Sequence, residues 1–168
     1  SFGGSAYPSR DIVTEVVVTS GSPFAGIAPT DFPGRVHGVR RNGAALFFQR
    51  KEVRLAPGDI LLVEADAGRI DTWLGQGALA ADSQAAVDRV EAVLMPESVL
   101  VGSRIGALEG FSSRGVRVAA VSTRTPRIEG RLADIRLGIG DILYLEGERA
   151  ALEAAIEEAE LLTLAPHP

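Results

Sequence analysis

Two histidines, His37 and His167, are the only imidazoles in the 168-residue chain, and it has no cysteine. Disulfides, thiolate metal sites and a cysteine nucleophile are thereby excluded. A serine nucleophile would need His37, either Asp31 or Asp59, and a hydroxyl such as Ser20 or Ser22, because the hydroxyl must have an oriented base. No Gly-x-Ser-x-Gly turn accompanies that set. His37 reads instead as a mid-strand or cleft residue, and His167 stands between Pro166 and Pro168. No group of His, Asp and Glu has the spacing of metal ligands, and Glu157, Glu158 and Glu160 read as the solvated face of a helix. The sequence therefore predicts no catalytic residue and no metal site.

Arginines are the more suggestive set. Arg35, Arg40, Arg41, Arg50 and Lys51 crowd one stretch, and Arg114, Arg117, Arg124, Arg127 and Arg131 another. Strand alternation would place Arg35, His37, Val39 and Arg41 on one face. Guanidiniums beside small residues suit phosphate or carboxylate, which makes Arg35, His37, Arg41, Arg117 and Arg124 candidate ligands of a small anion. The opposing reading is that arginines on hairpins protect edges and keep the chain soluble. Asp59 and Asp141 each follow a glycine, Gly58 and Gly140, and each should accept backbone N–H groups in a turn rather than act in catalysis.

What positions these residues follows from composition and a repeat. Apolar residues make up 46% of the chain, enough for a core, and its apolar runs are too short for a membrane helix. No signal peptide is recognisable, and a net charge of −5 argues against general nucleic-acid binding. The eleven residues from Arg54 to Glu64 recur 82 positions on, from Arg136 to Glu146, with seven identities. Glu15, Val17, Ser22 and Gly26 recur at 76 as Glu91, Val93, Ser98 and Gly102, so the second copy holds six extra residues, placed around 105–115.

Each copy reads as a small, mostly antiparallel sheet with one or two helices, an α+β fold. In the first, residues 12–19 form a strand; 36–41 and 44–49 form a hairpin about Asn42-Gly43; 60–63 form a central strand; and Ile70, Trp73 and Leu74 share the face of a short helix capped by Asp66. In the second, 90–95, 116–122 and a stretch near 127–130 are strands, 142–146 is the central one, 103–113 is a helix with Ile105, Leu108 and Phe111 inward, and 148–162 is a closing helix burying Leu152, Ala155, Ile156 and Ala159. The boundaries are a disordered lead-in at 1–11, a first unit at 12–74, a linker at 75–88 and a second unit at 89–164, with a frayed end beyond.

The stretches Ser22-Pro23-Phe24-Ala25-Gly26, Val36 to Gly43 and Leu55-Ala56-Pro57-Gly58-Asp59-Ile60-Leu61-Leu62-Val63, with Ser98 to Gly102, Val118 to Val121 and Leu137 to Leu143 in the second copy, resemble in order and spacing the TrkA-C domain, the C-terminal subdomain of regulators of potassium conductance. The resemblance covers nearly the whole chain. It implies two tandem TrkA-C-like units that lie on the cytoplasmic side of a membrane, dimerise, and regulate an ion channel or transporter for potassium, other cations or divalent anions. It also implies a partner, the membrane portion or subunit of that transporter, and for some members a small anionic effector such as cyclic di-AMP. No other cofactor follows: the Rossmann half that usually precedes such a unit has no Gly-x-Gly-x-x-Gly counterpart here, so NAD or ATP binding is not implied. The alternative is an assembly scaffold that needs no ligand.

Overall fold

The computed structural model describes residue 2 and residues 9–82, 88–124 and 128–164. It is a mixed α/β chain of mostly antiparallel strands and a few helices, dividing into two compact units: Ser1–Gln84 with Ile128–Arg131, and Ala85–Arg127 with Leu132–Pro168.

In the first unit the β-branched run Asp11–Val18 forms β1, and the apolar Ile60–Asp66 forms β4. β4 is central: it pairs antiparallel with β1 on one side and with β2, Arg35–Arg41, on the other. The β2 chain turns back through Asn42 and Gly43, at φ 52° and 80°, the left-handed pair that a type I′ hairpin requires. The return strand is shorter than the sequence predicts, because only Ala44–Ala45 (β3) pairs before the chain leaves the ladder. Helix α1, Ala67–Gly75, begins where Asp66 accepts the Arg69 N–H at 3.2 Å. The Ser9 hydroxyl, at 2.5 Å, is the main reason the Asp66 carboxyl lies below its ordinary range. α1 buries Ala67, Ile70 and Trp73, whereas Leu74, expected on the same face, is half-buried.

The proposed linker is in part structural. α1 runs to Gly75, and Leu79–Ala81 forms β5 against Val16 to Val18 of β1. Ala78 and Leu79 are buried there, and three residues are too few for an alternation to show in sequence. Residues 83–87 lie outside the described residues. So does most of the lead-in, but Phe2 is buried, its N–H donating to Asp71 Oδ1 at 2.6 Å, and strand structure already begins at Asp11.

The second unit contains β6 (Asp88–Leu94), α2 (Glu109–Ser112), β7 (Arg117–Ser122), β8 (Ile142–Gly147), α3 (Arg149–Ala159) and β9 (Leu161–Thr163). Its strand order is β7-β8-β6-β9, with β8 central. Three expectations are corrected here. Residues 103–113 are a 3-10 turn, Ile105–Ala107, followed by the four-residue α2, with Leu108 and Phe111 buried but Ile105 half-exposed. The Ile105 N–H is drawn to the Ile135 carbonyl at 2.9 Å, and Gly106 lies so close to Ala133 that a Cβ would come within 2.8 Å of its methyl. The closing helix stops at Ala159, because Glu160 turns left-handed at φ 55° and releases 161–163 to pair with β6; Ile156 is only half-buried. No strand forms over 128–130, which clusters with the first unit, and 125–127 lie outside the described residues. Among the described residues no helix is long and apolar enough to cross a membrane.

Candidate functional site

The two Gly-Asp turns are built alike, hydrogen bond for hydrogen bond. Gly58 and Gly140 sit at φ 90° and 87°, a region that costs glycine least. Each turn then closes onto the end of a strand: Val18 N–H donates to Asp59 C=O at 2.9 Å and Gly58 N–H to Val18 C=O at 2.8 Å, as Leu94 N–H does to Asp141 C=O at 2.9 Å and Gly140 N–H to Leu94 C=O at 2.8 Å. The aspartate side chains accept Ala56 N–H and Gly138 N–H, each at 2.8 Å. Ser22 and Ser98 likewise accept the N–H two residues on, at 3.0 and 3.1 Å. Gly26 and Gly102 donate to Leu55 and Leu137.

What differs is the charge set against each aspartate. Arg41 meets Asp59 through Nε and Nη2, both at 2.8 Å, and Nη2 also reaches the Arg54 carbonyl. That hydrogen bond to the carboxylate raises the Arg41 guanidinium above its ordinary value. In the second unit Thr123 occupies the matching place and supplies only a hydroxyl, so burial pushes the Asp141 carboxyl above its ordinary value, against the pull of Gly138 N–H and Thr123. With the folded value above 3.8, the folded state binds the Asp141 proton more tightly than the unfolded chain. The stability from that proton is complete below the unfolded value and is lost as pH rises through the folded one. Asp141→Asn should therefore gain relative to the natural chain as pH rises from about 3 to 7, read as the urea midpoint of the variant minus that of the natural chain; a value that falls over that range would contradict it.

The anion-site residues are not brought together as alternation predicts. A β-bulge shifts the register of β2 on β4 between Val36 and Gly38. Arg35 pairs with Glu64 and Arg40 with Ile60, on one face, while Val39 pairs with Leu61 on the other. One extra residue thus separates Arg35 from Val39 and Arg41, which plain alternation would have kept together. Gly38 sits at this bulge, where a Cβ would come 2.6 Å from the Gly130 carbonyl oxygen. Side-chain pairing divides the set further. His37 Nε2 lies 2.8 Å from Glu64 Oε1, Arg40 reaches Glu15 at 3.2 Å, Arg41 is held by Asp59, and Arg117 Nη1 donates to Glu146 Oε1 at 2.9 Å. Arg35 and Arg124 are exposed.

Sequence reasoning missed the carboxylates. Glu64 and Glu146 end the repeated eleven-residue stretch, and that position was the available signal. Glu146 is buried and accepts from Arg117 and, through its other oxygen, from Arg89 Nε at 2.9 Å and Nη2. Two guanidiniums offset the desolvation of one carboxylate. In the first unit the β1 residue opposite Glu64 is Val13 rather than an arginine, and His37 is the partner. Glu146→Ala should cost about 2 kcal/mol, below the range for fully buried pairs because both arginines are partly solvated. Urea unfolding checks this; a cost no larger than that of Glu64→Ala would contradict the two-arginine account.

The chain matches no protein-family model, no curated protein and no solved structure. Among the described residues no three His, Asp or Glu side chains converge as a metal site would require. The arrangement can do two things chemically: it anchors buried carboxylates at the strand ends, and it leaves Arg35 and Arg124 facing solvent.

Proposed function

We propose that this chain is a non-catalytic regulatory and dimerisation module of a membrane ion transporter, for potassium, other cations or divalent anions. In this reading it is built of two TrkA-C-like units and lies on the cytoplasmic side. The observation that carries the reading is the repetition of the Gly-Asp turn, its serine-capped loop and its bulged strand in both units. Those are the stretches on which the resemblance rests. A module of this kind acts by population shift: an effector or partner that prefers one of its states biases the attached membrane portion.

The ion pairs favour assembly over anion sensing at the predicted residues. An incoming anion at Arg41 would have to compete with Asp59 and leave that buried carboxylate uncompensated, and one at Arg117 would have to compete with Glu146. The ligand-free scaffold is therefore the second reading, and an anionic effector such as cyclic di-AMP would have to engage Arg35 in the first unit or Arg124 in the second. Deleting this segment from its gene and measuring potassium and dicarboxylate uptake tests the proposal. Altered uptake supports it, and unchanged uptake of both, with a monomer by sedimentation equilibrium, removes it. Titration calorimetry with cyclic di-AMP separates the two readings: heat lost in Arg35→Ala or Arg124→Ala favours the effector, and no heat favours the scaffold.

A further inference from the structure

We propose that the second unit carries a binding pocket for an α-amino acid with an aromatic or other bulky apolar side chain. Trp73 is the seventh residue of α1, and Ala155, 82 positions later, is the seventh residue of α3. In the first unit the Trp73 indole packs against Phe24 and Phe32 at ring-centroid distances of 5.6 and 5.2 Å. The corresponding residues of the second unit are Ala155, Leu100 and Leu108. Where the first unit has three rings, the second has a half-open pocket of about 180 Å³ whose lining includes those three residues, all of them buried at its base. Phe111 of α2, within the six residues that only this unit possesses, adds a wall. A closed apolar cavity of about 150 Å³ holds benzene; this pocket is open on one side, so a benzyl or isobutyl group would enter it in part and cover its apolar wall.

The mouth selects the rest of the ligand. Arg114 donates to Glu158 and to the Gly110 carbonyl, and Glu109 completes the rim. The surface at Gly110 is open: a Cβ there would meet only Glu158 Oε1 at 3.7 Å and Arg114 Nη1 at 3.8 Å. A simple carboxylate would face two negative charges for one positive, and a simple amine would face the guanidinium. A zwitterion satisfies both, its carboxylate on the Arg114 fork and its ammonium on Glu158 and Glu109. The Arg114–Glu158 pair is solvent-accessible, so opening it to admit a ligand costs little. The inference holds whatever the module is attached to.

Titration calorimetry of the full chain with L-phenylalanine, phenylpropionate and phenethylamine tests it. L-Phenylalanine should bind with Kd below about 1 mM, and each analogue about tenfold or more weakly. Glu158→Gln, at an exposed position, should weaken L-phenylalanine about tenfold and leave phenylpropionate unweakened. Ala155→Trp, which restores the first unit's plug, should abolish binding while the far-UV circular dichroism stays native. No heat with L-phenylalanine up to several times that concentration, equal affinity for either analogue, or affinity unchanged in Glu158→Gln would each overturn the proposal.

Discussion

Asp59→Ala is expected to destabilise the chain at pH 7 by about 3–4 kcal/mol, near the range for breaking a buried ion pair. Asp59 is 1% exposed, and its two oxygens take the Arg41 fork and the Ala56 N–H, all at 2.8 Å. Alanine leaves the N–H without its acceptor and the guanidinium without its counter-charge. Arg41 is about a third exposed, so water recovers part of the loss. Asp59→Asn keeps an acceptor for Ala56 and should cost about 1–2 kcal/mol. Asp141→Ala is the internal control, because Thr123 stands where the first unit has Arg41, and its cost should be about 1–2 kcal/mol. Urea unfolding gives all three values. Equal costs for the two alanine variants would contradict the account, and the double variant Arg41→Met with Asp59→Asn should cost less than the sum of its parts.

Trp73→Ala should cost about 3–5 kcal/mol, the range for removing a large buried aromatic. Trp73 is 8% exposed, and its ring meets Phe24 and Phe32 edge-on and carries the Arg69 guanidinium 5.1 Å from its centroid. Alanine would give the first unit the same small residue that borders the pocket in the second, beside Phe24 and Phe32 where the second has Leu100 and Leu108. There, however, Phe111 supplies a wall from α2, which the first unit lacks, so the vacated space cannot be lined as well. Trp73→Phe should cost only about 1–2 kcal/mol, since most of the buried area is kept. Trp73 is the only tryptophan, so fluorescence unfolding of the natural chain follows the first unit, and circular dichroism must follow the variants. A cost for Trp73→Ala below about 1 kcal/mol, the level of ordinary surface substitutions, would overturn this picture of the core.

Much of this architecture was legible in the residues. The central strands announced themselves by Ile60-Leu61-Leu62-Val63 and Ile142-Leu143-Tyr144-Leu145, apolar on both faces because residues 61–63 and 143–145 are buried on both. Asn42-Gly43 and Gly58-Asp59 named their turns, since few residues tolerate those φ angles. The site was less legible. The pairing of Arg35, His37 and Arg41 on one face assumed an unbroken period of two, and the bulge at Val36 and Gly38 breaks it. Nor could alternation reveal that His37, Arg41 and Arg117 would each find a carboxylate of their own unit, because those partners lie 18 to 29 residues away in the chain. β5 and β9 were invisible for a related reason. Three residues carry no periodicity, and Leu161 to Thr163 continue a run of good helix formers until the left-handed Glu160 and the ladder with β6 decide otherwise.

By itself the sequence determined the strand cores and the turns of its two repeated stretches, because these depend on local φ preferences and on apolar patterning over a few residues. Tertiary structure alone decided which charges neutralise one another, where the extra residue of each bulge falls, and that Ala155 lies at the base of a half-open pocket. Those outcomes depend on which distant groups come within about 3–4 Å, the reach of a hydrogen bond or a packed contact, and no local pattern records that distance.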